Sequence, residues 1–296
     1  MTVLVTGGGG QVALALEAAA SEAAAGDPPV RRIGRPEFDF DRPETIAASV
    51  AAHRPALVVN AAAYTAVDQA ETDRDAARRA NTDGPRLLAE ICARARVPLI
   101  HISTDYVFDG SKGAPYVETD PTAPLGVYGA TKLAGEQAAL AVNARTAVLR
   151  TSWVISHTGK NFVRTMIGAA RKTDSLRVVA DQRGCPTSAA DLATAILQVA
   201  RRMLDGWDDR YGGVFHAAGS GETTWHGLAE AVFEDADRHG LRRPTVTPIT
   251  TADWPTPVRR PADSRLDCNK LAQTFDARLP HWRGSVARIV DLIFTA

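Results

Sequence analysis

The chain is poor in the residues that staple small folds or hold soft metals. Its three cysteines, Cys92, Cys185 and Cys268, are widely spaced and form no Cys-x-x-Cys, so neither a disulfide framework nor a zinc site is suggested. An excess of one charge is missing too. With 34 basic and 34 acidic residues the formal net charge is zero, which speaks against nucleic acid or a membrane surface held by bulk electrostatics. Lysine is scarce, at 112, 132, 160, 172 and 270 only, and most basic residues are arginine. No apolar run approaches the roughly 20 residues of a membrane-spanning helix. The chain enters a strand-like stretch at once, Thr2-Val3-Leu4-Val5-Thr6, without a basic and apolar leader. A cytoplasmic, soluble protein is expected.

What is present is ordinary for such a protein: 45% hydrophobic and 23% charged residues. A length of 296 residues suits one large α/β domain with a smaller lobe. Residues 2–6 read as a strand, Gly7-Gly8-Gly9-Gly10 breaks it, and residues 11–25 read as an Ala-rich helix. Strand, glycine turn and helix together suit a phosphate: glycines let the backbone approach, and the helix start offers free N–H groups and a positive dipole end. The pattern is Thr6-Gly7-x-x-Gly10-x-x-Ala13, and a tight strand-to-helix turn would need glycine in any case. A second strand is expected at 30–34, followed by Arg35. No Asp or Glu occurs from 30 to 36, where an acid would hold the ribose hydroxyls of NAD; Arg35 leans towards a 2′-phosphate and so towards NADP. Asp39 and Phe40 fit an adenine-side contact. A strand at 56–60 leads into Ala61-Ala62-Ala63-Tyr64, small residues that suit either a close cofactor or tight helix packing.

A long helix is expected at 74–96 and a fourth strand at 97–103, ending in Thr104-Asp105-Tyr106 at the carboxyl edge where open α/β sheets place ligands. The helix expected at 125–142 carries Tyr128 and Lys132. Four residues apart, they share one helix face. A phenol titrates near pH ~10, and a neighbouring ammonium favours the phenolate, so the pair suits proton transfer to a substrate oxygen. Taken alone, it equally describes a solvated helix face. With a fifth strand at 146–151, strands and helices alternate as in a Rossmann-type, doubly wound parallel sheet, class α/β. Beyond Trp153 the pattern is looser, with helices expected at 161–171, 189–204, 225–239 and 286–294 and strands at 176–179 and 213–216. The expected division is a cofactor domain at 1–152, with 188–217 returning to it, and a smaller C-terminal substrate lobe at 153–187 and 218–296.

The order strand-Thr-Gly-x-x-Gly, Asn60-Ala-Ala-Ala, Ser103-Thr104 and Tyr-x-x-x-Lys resembles the extended short-chain dehydrogenases/reductases. The resemblance narrows to the dTDP-4-dehydrorhamnose reductase family. Gly10-Gln11-Val12, residues 60–68, residues 103–110 and Tyr128-Gly-x-Thr-Lys-Leu-Ala-Gly-Glu136 carry it, with Arg150-Thr151-Ser152-Trp153, Asn161-Phe162, Asp181-Gln182-x-Gly-x-Pro-Thr187 and Arg260-Pro261-x-x-Ser264-Arg265-Leu266. The blocks run from residue 6 to residue 266, nearly the whole chain.

The resemblance implies NAD(P)H-dependent reduction of the C4 ketone of dTDP-4-dehydro-L-rhamnose, the last step of dTDP-rhamnose synthesis for cell-wall polysaccharide. It implies Tyr128 as proton donor, Lys132 depressing the phenol and meeting the nicotinamide ribose, and Thr104 holding the sugar O4. Gly7, Gly10, Gln11, Val12, Arg35, Asp39, Phe40, Ala62, Ala63 and Tyr64, with Tyr128 and Lys132, would hold NADPH, or NADH. Val67, Asp105, Tyr106, Trp153, Asn161 and Arg260 would face the nucleotide sugar, Arg260 offering a guanidinium fork to its diphosphate. Where some relatives bridge a dimer through magnesium on three glutamates, this chain has Ala15, Ala190 and Leu292. No magnesium is expected there, and a monomer or weak dimer follows. Rival expectations are another extended nucleotide-sugar reductase or epimerase, and a non-catalytic NADP-binding regulatory subunit.

Overall fold

The computed structural model describes residues 2–22 and 28–295. Five short strands of Val-, Leu- and Ile-rich sequence, β1 (Val3–Thr6), β2 (Val30–Ile33), β3 (Leu57–Asn60), β4 (Leu99–Thr104) and β5 (Thr146–Thr151), form one parallel sheet with the strand Gly213–His216. The spatial order is Gly213–His216, β5, β4, β3, β1, β2. Strand order thus reverses beside β1, and the crevice between the carboxyl ends of β1 and β3 is the usual ligand position in such sheets.

Side chains alternate across the sheet. Val3, Val5, Leu57, Val59 and Ile100 pack on one face with α1 (Gln11–Ser21), through Leu16, and with α7 (Ala189–Asp205), through Leu192, Ile196 and Val199. Leu4, Val58 and Leu99 pack on the other face with α2 (Pro43–His53), α4 (Gly84–Ala95) and α5 (Val127–Val142). Covered on both faces, β1, β3 and β5 are buried at every position, whereas the edge strand β2 is not. A second core lies beyond β5, between α6 (Phe162–Ala170), α8 (Trp225–Asp237) and α10 (Trp282–Thr295), with Ile167, Phe233 and Ile289 among its buried side chains. Beside it, Ser175–Val179 pairs in parallel with Thr245–Ile249. The short α9 (Asn269–Phe275) turns back, and its Leu271 and Phe275 join the main core.

Several elements differ from expectation. The helix expected at 74–96 is three pieces: α3 (Arg74–Arg78), a π-helical turn Arg79–Asp83, and α4. Pro85 has no N–H to continue the ladder, and the Asn81 amide is drawn aside to the backbone of Tyr64, accepting its N–H at 2.8 Å and donating to its carbonyl at 3.1 Å. The first helix is described to Ser21; the rest of the expected span, 23–25, lies outside the described residues. The stretch from 183 to 188 holds two short strands with no counterpart among the expected elements, Arg183–Gly184 and Thr187–Ser188. The helix expected at 286–294 begins at Trp282, and Thr245–Ile249 and α9 were not anticipated. Among the described residues no helix is long and apolar enough to cross a membrane.

Candidate active site

At the end of β1, Gly7 takes φ +117°, and a Cβ there would lie 2.8 Å from the Ala61 carbonyl oxygen. Glycine is required on both counts. Gly10, the residue before α1, offers no side-chain cap to the helix start, so the N–H groups beginning at Gln11 and Val12 remain for a ligand. Gln11 adds a buried Oε1 without a hydrogen-bond partner. This cradle fits the pyrophosphate of a dinucleotide. Asn60 braces it across three strands: its Oδ1 accepts from Thr6 Oγ1 at 2.7 Å and from the Ala62 N–H at 3.2 Å, and its Nδ2 meets His101 Nδ1 at 3.0 Å. Ala62, Ala63 and Tyr64 follow, half-buried. Asn81, absent from the expected site, fixes Tyr64 from the π turn; nothing in the local sequence marks a π turn.

The residues expected at the adenosine end carry more charge than the sequence suggested. Arg35 donates to Asp39 at 2.9 Å and to Asp41 at 2.6 Å, and Asp41 also accepts from Arg79 at 2.8 Å. Asp41 is held below its usual value, chiefly by Arg79 and secondarily by Arg35. Phe40 lies against Gly84, where a Cβ would strike its ring, and stands edge-on to Phe38 at 5.1 Å. The stretch 30–36 has no acid, but two acids just beyond it neutralise Arg35. Arg79 is distant in sequence and was missed.

The catalytic candidates converge at the carboxyl end of β4. Thr104 ends the strand; its hydroxyl donates to Asp105 Oδ1 at 3.1 Å and accepts the Tyr106 N–H at 3.2 Å. Tyr128, on the first turn of α5, stands edge-to-face with Tyr106 at 5.6 Å. The start of α5 is set by a distant carboxylate, Glu71 Oε1 accepting the Val127 N–H at 2.7 Å. Here an expectation is corrected. The phenol is not depressed by Lys132 but raised well above its usual value, by burial first; the Thr104 hydroxyl, the next influence in size, works the other way, and Asp105 and Tyr106 add smaller upward pushes. Lys132 Nζ instead donates to the Ile102 carbonyl at 2.6 Å, and burial lowers it to about 8 against the opposing pull of Glu136. Burial also raises Asp105 to about 6. The site therefore holds its phenol as an acid through the neutral range.

Of the substrate candidates, Tyr106 sits under Arg260, whose guanidinium lies 5.7 Å from its ring. Arg260 Nη2 is paired with Asp68 at 2.7 Å, leaving Arg260 Nη1 and Asp68 Oδ1 buried and without hydrogen bonds. Val67 is half-buried just before this pair. Trp153, at φ +45° beyond β5, stacks on Trp225 with centroids 3.6 Å apart, and Gly184 backs its ring. Trp225 in turn donates from Nε1 to Gln182 at 3.1 Å. Asn161 is spent on structure: it caps α6 through the Arg164 N–H at 3.3 Å and donates to the Ser156 and Thr158 carbonyls at 2.7 and 3.1 Å. Among the described residues no group of three or more His, Cys, Asp or Glu is placed to hold a metal ion. Ala190 and Leu292 are exposed and Ala15 half-buried.

The model of the RmlD substrate binding domain family matches residues 1–294. A dTDP-4-dehydrorhamnose reductase of Sinorhizobium fredii is 48% identical over 290 residues, covering 98% of this chain and 97% of that protein. Among solved structures, a dTDP-4-dehydrorhamnose reductase from Clostridium acetobutylicum superposes with a TM-score of 0.90 at 33% identity, over 99% of both chains. A Bacillus anthracis dTDP-4-dehydrorhamnose reductase in complex with NADP superposes with a TM-score of 0.88 at 31% identity, covering 98% of this chain and 99% of that one.

Proposed function

The chain belongs to the dTDP-4-dehydrorhamnose reductases of the RmlD family, and from that premise we propose how its own residues carry the reaction. It is an oxidoreductase of dTDP-rhamnose biosynthesis that reduces the C4 ketone of dTDP-4-dehydro-L-rhamnose to dTDP-L-rhamnose with NADPH. When bound, the cofactor supplies the hydride to C4. Gly7, Gly10, Gln11 and Val12 would hold its pyrophosphate at the start of α1, with Ala62, Ala63 and Tyr64 beside them and Arg35, Asp39 and Phe40 serving its adenosine end.

The observation that carries the assignment of roles is the convergence of Thr104, Asp105 and Tyr128 on one carboxyl edge, with Lys132 one helical turn away. Tyr128 gives a proton to the sugar O4 as negative charge develops there. Thr104 orders that oxygen with its single hydroxyl hydrogen, which it gives to Asp105 Oδ1 before the substrate arrives and turns to O4 on binding. Lys132 offers positive charge behind the phenol. Tyr106, Val67 and Trp153 border the sugar. Arg260 meets the diphosphate after exchanging Asp68 for it. The substrate lobe is residues 153–187 and 218–296, less α9, with 188–217 belonging to the cofactor domain. Cytoplasmic residence and a monomer or weak dimer complete the proposal.

The test is oxidation of NADPH by the purified protein with freshly generated dTDP-4-dehydro-L-rhamnose. Cofactor binding without oxidation would point first to another nucleotide sugar as substrate and second to a non-catalytic binding subunit. Two narrower results are expected. Arg35→Ala should weaken NADPH about tenfold more than NADH, the cost of one exposed charge-assisted contact of ~1.4 kcal/mol; equal weakening of both would remove the 2′-phosphate from Arg35. A chelator should leave turnover unchanged, because alanine and leucine cannot replace carboxylates around a hard cation. Loss restored by magnesium would overturn that.

A further inference from the structure

Glu136 lies one helical turn beyond Lys132 on α5, and the two are 1% and 2% exposed. Its carboxylate is held by neighbours on two strands. From β5, Arg150 forks it, Nε reaching both oxygens at 3.1 Å and Nη2 reaching Oε2 at 2.7 Å. From β4, Ser103 donates its hydroxyl to Oε1. Arg150 is itself seated over the Phe108 ring at 5.2 Å. Two strands and the catalytic helix thus meet on one carboxylate shielded from water. A buried ion pair is weak evidence for stability, since desolvation cancels much of the attraction, so stability alone does not account for this one.

Lys132 has modest local support. Its ammonium donates to the Ile102 carbonyl on β4. Tyr128 shares its helix, and the buried His101 faces it from β4, kept neutral by burial and by Lys132 itself. Glu136 is the negative charge that acts on it.

We infer that Glu136 is a positioning residue of the reduction: pinned by Arg150 and Ser103, its carboxylate keeps the buried Lys132 ammonium protonated. The inference rests on the role given above to Lys132. Burial works against the ammonium and Glu136 works for it. Without the carboxylate, Lys132 loses its proton as pH rises through the neutral range instead of near its upper end.

The experiment titrates Lys132 directly. In protein labelled with ¹⁵N-lysine there are five lysines, and the Lys132 signal is the one lost in Lys132→Met. It should titrate near 8 in the unaltered protein. In Glu136→Gln, and in Glu136→Gln with Arg150→Met, it should titrate at least about one pH unit lower, a tenfold loss of proton affinity. The double variant leaves no orphaned guanidinium and carries the test if the single variant does not fold. Ser103→Ala removes a hydrogen bond but no charge and should leave the titration where it is. In parallel, the alkaline fall of kcat should move down by the same interval in the Glu136 variants. An unmoved Lys132 titration in the folded double variant overturns the inference, as does a moved titration with an unmoved kcat profile. Full turnover by Lys132→Met would instead overturn the role of Lys132, leaving the titration result intact, so the two failures are distinct.

Discussion

Tyr128→Phe should lower turnover with dTDP-4-dehydro-L-rhamnose by about 10²–10⁴-fold, the span of a positioned general acid, while NADPH binding stays within about twofold of the unaltered protein. The separation is expected because the two functions sit on different elements. The cofactor cradle is built by β1, the start of α1 and the end of β3, where Gly7 meets Ala61 and Asn60 ties Thr6 to Ala62. In the proposed mechanism the phenol acts chiefly at O4. Phenylalanine keeps the edge-to-face packing on Tyr106, so the loss reports the hydroxyl and not a collapsed pocket. The pH dependence follows from the direction of the shift. Burial raises the phenol above its usual value of ~10, so the donor stays protonated through the neutral range and no fall in rate below pH 9 belongs to it. A fall near pH 8 belongs to Lys132, whose charged form is lost as pH rises through about 8. Single-turnover oxidation of bound NADPH across pH 6 to 9, as about the working range of a neutral-pH enzyme, reads both. A Phe variant keeping a tenth or more of the rate would remove Tyr128 from the chemistry.

Much of this was legible in the sequence because it depends on local pattern. The glycine run after an apolar strand, the Tyr128–Lys132 spacing and the Thr104-Asp105-Tyr106 strand end each declare a backbone need or a shared helix face within a few residues. What escaped is long-range. Arg79 reaches Asp41 across 38 positions, and Asn81 reaches Thr131 on the catalytic helix across 50. Glu71 caps that helix from 56 residues away. No periodicity predicts which carboxylate or amide a fold will bring to such a place. The direction of the Tyr128 shift escaped for a related reason: spacing shows that an ammonium is near, but burial, which outweighs it, belongs to the assembled site. Arg260 and Asn161 show the same limit. Their identities suggest ligand contacts; the fold adds that Arg260 is ion-paired to Asp68, the partner it would exchange for a diphosphate, and that Asn161 caps a helix.

Gly135→Ala should destabilise the protein by about 1–3 kcal/mol, the usual cost of forcing a methyl into a packed interior, and should weaken NADPH binding with it. Alanine in a helix would by itself gain up to ~1 kcal/mol over glycine, so the sign depends on what the new Cβ meets. At Gly135 it meets the backbone carbonyl oxygen of Asn81, deep inside contact distance. That carbonyl cannot retreat freely. Asn81 holds both backbone groups of Tyr64 and donates to Thr131, and Thr82 donates to the Thr131 carbonyl at 2.8 Å. The π turn and α5 are therefore bolted together on either side of the glycine, and parting them moves Tyr64 and Tyr128, the residues proposed above to meet cofactor and substrate. Gly168, inside α6, supplies the contrast, because a Cβ there meets nothing within 4 Å. Gly168→Ala should raise the melting temperature where Gly135→Ala lowers it. Thermal unfolding of the two variants with and without NADPH measures the difference. A rise in both would mean that α5 does not rest on the π turn, and that the helix bearing Tyr128 and Lys132 is positioned from its Glu71-capped end alone.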